Sequence, residues 1–284
     1  MEEAIKKADV LIEALPYIKE FHRKIMVIKY GGSILGEEKI RKGVLEDIVF
    51  LSYMGLCPVL VHGGGPNISE RMKCAGVKSE FVDGMRVTDE KTLEIVEEEL
   101  NKLNKIIVSE IKELGGKAVG FQLRKQSIIL ARKKQEGRDL GFVGEVESID
   151  VKPLLHQTKD YTVCVICPIG KGQDNRTYNI NADDVASSVA VSLLAEKLVI
   201  LTNVRGIMRS PDDPSSLIST LTIDEAKGLI KEGAVQEGMI PKVKSAMAAL
   251  EGAVKKTHII DARIPHALLL EIFTKEGIGT EIIK

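Results

Sequence analysis

Neither sign of charge dominates this sequence. Its 40 lysine and arginine residues face 41 aspartate and glutamate residues, for a formal net charge of −1. The two kinds are interspersed, which excludes the broad electrostatic footprint of a nucleic-acid or anionic-membrane binder and leaves small molecules or other proteins as partners. Long apolar runs are also lacking. None approaches the roughly 20 residues that cross a bilayer. Met1 to Asp9 mixes acids and bases where a signal peptide needs an apolar core, so a cytoplasmic protein is expected. Cysteine is scarce: Cys57, Cys74, Cys164 and Cys167. Cys164-x-x-Cys167 has the spacing of a metal-ligand pair. No second such pair or His pair completes a tetrahedral site, and both cysteines fall in an apolar run whose side chains would alternate in face as a strand. They read as core thiols in a reducing compartment, and no protein-held metal is expected.

What the chain has is material for a core. With 284 residues, 44% of them hydrophobic, it suits one large α/β domain or two lobes. Residues 2 to 15 carry Ile5, Ala8, Ile12 and Leu15 at 3-4-3 spacing, a narrow apolar seam on a helix that Pro16 bends or interrupts. Such a seam must pack on its own domain or on another subunit. From Lys24 the pattern alternates: strand Ile25 to Tyr30, a glycine turn, a helix to about Leu56, strand Pro58 to His62 and a second glycine turn, together a βαβ unit. A long helix from about Asp89 to Leu114 ends at Gly115-Gly116. Lys117 to Asp150 reads as hairpins, Val163 to Ile169 as one buried strand, and Asp183 to Ala195 as a helix leading to strand Leu198 to Thr202. Helices near 223–232, 240–255 and 265–274, the strand Thr257 to Asp261 and a short last strand complete the chain. Strands alternating with helices predict a three-layer α-β-α fold with an open, mostly parallel sheet.

In open parallel sheets ligands bind beyond the carboxyl ends of strands. There the sequence has Lys29-Tyr30-Gly31-Gly32-Ser33, His62-Gly63-Gly64-Gly65 and Thr202-Asn203-Val204-Arg205-Gly206. Glycines let backbone approach an anion, and a following helix offers unpaired N–H groups and a positive dipole end. One such turn is only a tight turn; two from neighbouring strands, with a lysine before one of them, form a phosphate cradle. The P-loop string G-x-x-x-x-G-K-[ST] is absent, and no G-x-G-x-x-G opens a helix after a strand, so another phosphate-binding design is required.

These segments resemble the amino-acid-kinase superfamily and, within it, the N-acetylglutamate kinases along nearly the whole chain. The strings are Ile28-Lys29-Tyr30-Gly31-Gly32-Ser33, Val61-His62-Gly63-Gly64-Gly65-Pro66, Asp83-Gly84-Met85-Arg86-Val87-Thr88, Asp139-Leu140-Gly141-Phe142-Val143-Gly144, Tyr178-Asn179-Ile180-Asn181-Ala182-Asp183 and Gly238-Met239-Ile240-Pro241-Lys242. The Gly-Met-Arg-Val-Thr string is the one that points to acetylglutamate. The resemblance implies transfer of the γ-phosphoryl group of ATP to the side-chain carboxylate of N-acetyl-L-glutamate, with Mg²⁺ carried by the nucleotide. It implies Lys29 and Lys242 flanking the transferring group, Asp183 holding both lysines, and backbone N–H groups of Gly31, Gly32, Gly64 and Gly65 on phosphoryl and carboxyl oxygens. Arg86 would grip the α-carboxylate bidentately with Asn179 as a second contact, and Thr202, Asn203 and Gly206 would lie at the nucleotide. Without it, Lys29 and Lys242 read as solvated lysines, Asp183 as a helix-start carboxylate and Arg86 as an exposed arginine after a hairpin.

No general base is evident, and none is needed: a glutamate-type carboxylate, pKa about 4.3, is already ionised at neutral pH. The five histidines need no catalytic role; His62 packs at its glycine turn and His258 sits in an apolar strand. Three departures from the family pattern are Glu237 in place of a glycine, Asn203 in place of an aspartate, and Phe121 to Gln126 without the usual Ser-Gly-x-Asp-Gly turn. Kinases acting on acetylaminoadipate, carbamate or a nucleotide monophosphate remain open, as does a non-catalytic effector binder that kept the fold. The N-terminal helix and the run Asp261 to Thr280 resemble the arginine-inhibited type. They imply arginine as effector at Tyr17, His266, Glu271 and Gly277, and a homo-oligomer: a dimer, and a hexamer as trimer of dimers. The implied division is an oligomerisation helix at 1–22, an acetylglutamate-binding lobe at 23–190 and a nucleotide and effector lobe at 191–284.

Overall fold

The computed structural model covers residues 1–284, and the structure is described for all except 32, 83, 124–126, 136, 211–212, 237 and 275–276. Strand β1 (Ile25–Tyr30) lies near the centre of the main sheet, paired in parallel with β2 (Cys57–His62) on one side and β11 (Lys197–Thr202) on the other. Its sequence, Ile-Met-Val-Ile-Lys-Tyr, has no polar alternation because both of its faces are covered. The eight-stranded order is β12-β14-β13-β11-β1-β2-β8-β5. Here β5 is Ala118–Phe121, β8 Val163–Ile166, β12 Thr220–Thr222, β13 Lys256–Asp261 and β14 Thr280–Ile283. Only the β13–β14 pairing is antiparallel among the described pairs of this sheet.

Helices close both faces. Val27, Val59, Leu198 and Ile200 point to the face covered by α7 (Ala182–Ser192) and α9 (Ile240–Glu251), through Val185, Val189, Val243 and Met247. Met26, Ile28, Leu60 and Val199 point to the other face. There Val44, Ile48, Leu103, Ile107 and Leu268 arrive from α3 (Glu38–Tyr53), α5 (Glu90–Glu113) and α10 (Ala267–Phe273). The 24 residues of α5 begin where Asp89 accepts a hydrogen bond from the Thr92 N–H and end before Gly115, whose φ of +87° suits the reversal.

Outside the main sheet, β3 (Phe81–Val82) and β4 (Met85–Arg86) form a small hairpin. The strands β6 (Ile129–Lys133), β7 (Val143–Ile149), β9 (Ile169–Gly172) and β10 (Thr177–Ile180) close on one another. Two expectations are corrected here. The stretch 117–150 is not all hairpins, because β5 pairs in parallel with β8 at the main-sheet edge, as Val119↔Cys164, and only β6–β7 is a hairpin. The stretch 163–169 is two strands, not one: Pro168 cannot donate to a ladder, and the chain leaves the main sheet at Cys167-Pro168 to enter the small one as β9. The N-terminal helix is interrupted near Pro16, as its sequence leads one to expect. α1 (Glu2–Glu13) stops before Ala14, and Pro16 stands in the first turn of α2 (Leu15–Phe21), where its missing N–H costs nothing. Cys57, Cys164 and Cys167 are buried free thiols, whereas Cys74 is exposed at the end of α4 (Gly65–Cys74).

Candidate active site

Side-chain alternation along β1 puts Lys29 on the same face as Val27, beneath the α7 and α9 helices. Its Nζ meets Asp183 Oδ1 at 2.9 Å, and Lys242 Nζ lies 3.5 Å from Asp183 Oδ2. Two lysines far apart in the chain thus converge on Asp183. Burial acts to raise the Asp183 carboxyl, yet the fields of Lys29 and Lys242 outweigh it and hold the group below its ordinary value. Burial pulls the Lys242 ammonium down, with Asp183 opposing. Asp183 is placed by the N-cap of α7, where Asn181 Oδ1 accepts from the Asp183 N–H at 2.7 Å. The next residue is tied across as well: buried Ser245 of α9 donates to Asp184 at 2.9 Å.

In front of this cluster lies a cleft with a cavity volume of about 220 Å³, bordered by Lys29, the Gly63–Gly65 turn, Arg86, Asn179 and Asp183. Two helices, α4 and α7, start at its wall, and the first N–H groups of a helix have no intrahelical partner. Gly31 packs against the lysine stem; a Cβ there would stand 3.0 Å from Lys29 Nζ. A Cβ on Gly64 would stand 2.6 Å from Leu100 Cδ2, so a side chain there would have to displace Leu100 of α5. Gly32 lies outside the described residues. Behind the turn His62 is fully buried, and burial pushes it down to about 4, so it is neutral at neutral pH. Its Nδ1 lies 3.0 Å from the Gly63 carbonyl and carries the proton, while Nε2 accepts from Asn104 at 3.2 Å. His62 therefore braces the turn, as the sequence reading expects.

Arg86 is buried, not exposed as an arginine after a hairpin ordinarily is. One terminal nitrogen donates to Ser79 Oγ and to Met72 Sδ; the other donates to the Gly65 carbonyl at 3.1 Å and to Ser69 Oγ at 2.8 Å. The guanidinium carbon sits 4.6 Å from the Phe81 ring centroid. No carboxylate pairs with it among the described residues, and burial lowers its pKa. Asn179 reaches the same neighbourhood from β10, donating to Thr88 Oγ1 at 3.2 Å.

The nucleotide candidates spread out. Gly206, at φ +150°, borders a narrow apolar cleft with Val204, Val235 and Met239. Thr202 is buried at the end of β11 and its carbonyl accepts from the Ala262 N–H at 2.9 Å; Asn203 is exposed, and neither borders that cleft. Glu237 and residues 124–126 lie outside the described residues. A second polar cleft, about 260 Å³, is bordered by Tyr17, Glu20, Lys197, Glu271, Gly277 and Glu281. Burial acts to raise the Glu271 carboxyl, but His258 at 2.6 Å and the Ile278 N–H at 3.0 Å outweigh it and hold it below its ordinary value. His266 stands apart from this cleft, paired with Asp47 at 2.7 Å. The sequence reading missed Lys197, Glu20 and Glu281. A lysine opening the apolar run Leu198 to Leu201 was the available signal for the first of them.

A mostly parallel sheet covered on both faces, with glycine turns and two lysines gathered on one buried aspartate at the strand ends, defines an α/β protein whose cleft has the chemistry to receive an anion. Residues 24–261 match the model of the Amino acid kinase family. The acetylglutamate kinase of Caldanaerobacter subterraneus is 48% identical over 283 residues, covering 99% of this chain and 95% of that relative. That of Aquifex aeolicus is 46% identical over 298 residues, covering 99% of each. Among solved structures, N-acetylglutamate synthase from Neisseria gonorrhoeae complexed with coenzyme A and N-acetyl-glutamate has a TM-score of 0.87 at 30% identity, covering 98% of this chain and 63% of that one. Carbamate kinase from Giardia lamblia bound to AMP-PNP has a TM-score of 0.65 at 18% identity, covering 92% and 99%, which speaks to the fold alone. The chain belongs to the amino acid kinase family, within its acetylglutamate kinases, and is an enzyme.

Proposed function

We propose that this enzyme transfers the γ-phosphoryl group of ATP to the side-chain carboxylate of N-acetyl-L-glutamate, forming an acyl phosphate for arginine biosynthesis. The observation that carries this is the convergence of Lys29 and Lys242 on Asp183 beside the cleft that holds Arg86. Two ammoniums fixed by one carboxylate are preorganised to neutralise charge on the transferring phosphoryl oxygens and the leaving diphosphate. Asp183, spent on the lysines, orients them. The acceptor carboxylate is ionised at neutral pH and needs no base. The glycine turns and the starts of α4 and α7 suit phosphoryl oxygens. Mg²⁺ is assigned to the nucleotide's phosphates, whose charge it would neutralise. ATP is assigned to the half from 191 to 284, near Gly206, Thr202 and Asn203, and the acid to the half from 23 to 190.

Arg86 is assigned to the α-carboxylate. Both of its terminal nitrogens are already engaged, so an incoming carboxylate must replace bonds to Ser69, Ser79 or Gly65 rather than meet a free fork. Arginine as a feedback inhibitor is assigned to the second cleft, whose Glu20, Glu271 and Glu281 suit its cationic groups and whose Lys197 suits its carboxylate. A Neisseria gonorrhoeae synthase with 29% identity and a TM-score of 0.84 was solved with coenzyme A and L-arginine. The seam along α1 and the first residue of α2 is left exposed by its own chain, with Ile5 52%, Ile12 69% and Leu15 42% exposed, which favours pairing of N-terminal helices in a hexamer built from dimers. No helix of the described residues is long and apolar enough to cross a membrane, and a cytoplasmic location suits a biosynthetic kinase.

The test is an assay with Mg-ATP and a panel of acids in hydroxylamine, which traps acyl phosphates. Fastest turnover is expected with N-acetylglutamate. Faster reaction of acetylaminoadipate, or none with either acid, would sink the assignment.

A further inference from the structure

Thr88 is completely buried and its one hydroxyl proton is committed: Oγ1 donates to the Arg86 carbonyl at 2.7 Å. With that proton spent, Oγ1 can only accept from Asn179, whose side chain approaches at 3.2 Å. The amide must therefore turn its NH₂ group toward Thr88, and its carbonyl oxygen is the end left free to accept a hydrogen bond. The main chain of Thr88 is held as firmly. Its N–H donates to the Leu140 carbonyl at 2.9 Å, and its carbonyl accepts from the Phe142 N–H at 2.7 Å. The Phe142 carbonyl in turn accepts from the Asn179 N–H at 2.9 Å, closing a ring of bonds from β4 through Thr88 to β10. Both residues so joined, Arg86 and Asn179, border the cleft, whereas Thr88 does not.

We infer that Thr88 is a positioning residue for the acid substrate: its hydroxyl fixes the orientation of the Asn179 amide and ties the β4 backbone at Arg86 to it. The inference rests on the reading of Arg86 and Asn179 as contacts of the acid. It implies that Asn179 presents an acceptor to an N–H of the substrate, a group that an N-acylated amino acid has and a plain dicarboxylic acid lacks.

The experiment is steady-state kinetics of the intact enzyme with Thr88→Val, which keeps the shape and removes the hydroxyl, and Thr88→Ser, which keeps the hydroxyl. Asn179→Ala and the Thr88→Val/Asn179→Ala double variant complete a cycle, and melting curves verify that each is folded. Thr88→Val should raise KM for the acid about tenfold, the scale of one buried hydrogen bond, with KM for ATP within twofold. Thr88→Ser should restore it, and the double variant should be no worse than Asn179→Ala alone. If Asn179→Ala raises KM for the acid but Thr88→Val leaves it unchanged, or if the two losses multiply, the positioning role is overturned alone. If Asn179→Ala leaves KM for the acid unchanged, the assignment of the acid to this cleft falls with it. Thr88→Ser supplies the readout should Thr88→Val fail to fold: a Ser variant as defective as a folded loss of Asn179 would reject the role of the hydroxyl.

Discussion

Lys29 Nζ and Asp183 Oδ1 meet at 2.9 Å with side chains only 7% and 6% exposed. Breaking such a pair leaves a buried charge without compensation, and here Asp183 serves Lys242 as well. Asp183→Asn is expected to cost about 3–5 kcal/mol of stability in urea denaturation and to lower kcat sharply. The pH dependence has a definite sign. The folded pKa of Asp183 is depressed, so its contribution is present above the unfolded value of about 3.9 and is lost as pH falls through the folded value. Wild-type stability should drop more steeply than that of the variant in that acid range. Equal acid limbs would show that the pair contributes little.

Arg86→Lys should raise KM for the acid at least about tenfold while leaving KM for ATP near its wild-type value, because a point charge cannot serve Ser69, Ser79 and Gly65 and a carboxylate with one fork. An unchanged KM for the acid would remove Arg86 from substrate binding.

Gly141 has φ +77°, and a Cβ there would stand 2.2 Å from the Thr88 carbonyl oxygen. Gly141→Ala combines backbone strain with displacement of Thr88, so a loss above about 1 kcal/mol is expected, together with a raised KM for the acid. A variant as stable as wild type would mean that this contact yields freely.

Titration calorimetry with arginine should separate two residues that family resemblance groups together. Glu271→Ala is expected to weaken arginine binding about 10- to 100-fold, the range for losing a hydrogen bond to a charged group. His266→Ala should change it less than about twofold, since His266 faces Asp47 and not the cleft. Absence of binding to the wild type would reject arginine as ligand; an equal loss for both variants would reject the cleft as the arginine site.

Much of the fold was legible because the local signals agree with tertiary position. β1, α5 and β11 carry patterns set by burial on one or both faces, and Asp89 and Gly115 punctuate α5 as their chemistry requires. The glycine turns with Lys29 marked the cleft in the same way. The split at Pro168 was harder, since Val163 to Ile169 is apolar throughout and a buried strand reads the same whichever sheet it joins. Burial of Arg86 was illegible because its acceptors, Ser69, Ser79 and Gly65, come from a helix start and a loop that only folding brings near.

The sequence by itself determined the strand and helix alternation, the glycine-bounded turns and the residue types able to meet a phosphoryl group. These depend on steric freedom, side-chain period and charge, which belong to each residue and its near neighbours. Tertiary structure alone decided that Lys242 shares Asp183 with Lys29, that Thr88 joins Arg86 to Asn179, and that His266 stands apart from Glu271. Apart from the local Thr88–Arg86 bond, those relations rest on hydrogen bonds and ion pairs between segments far apart in the chain. Their lengths are set by how helices pack on the sheet, which no local pattern encodes.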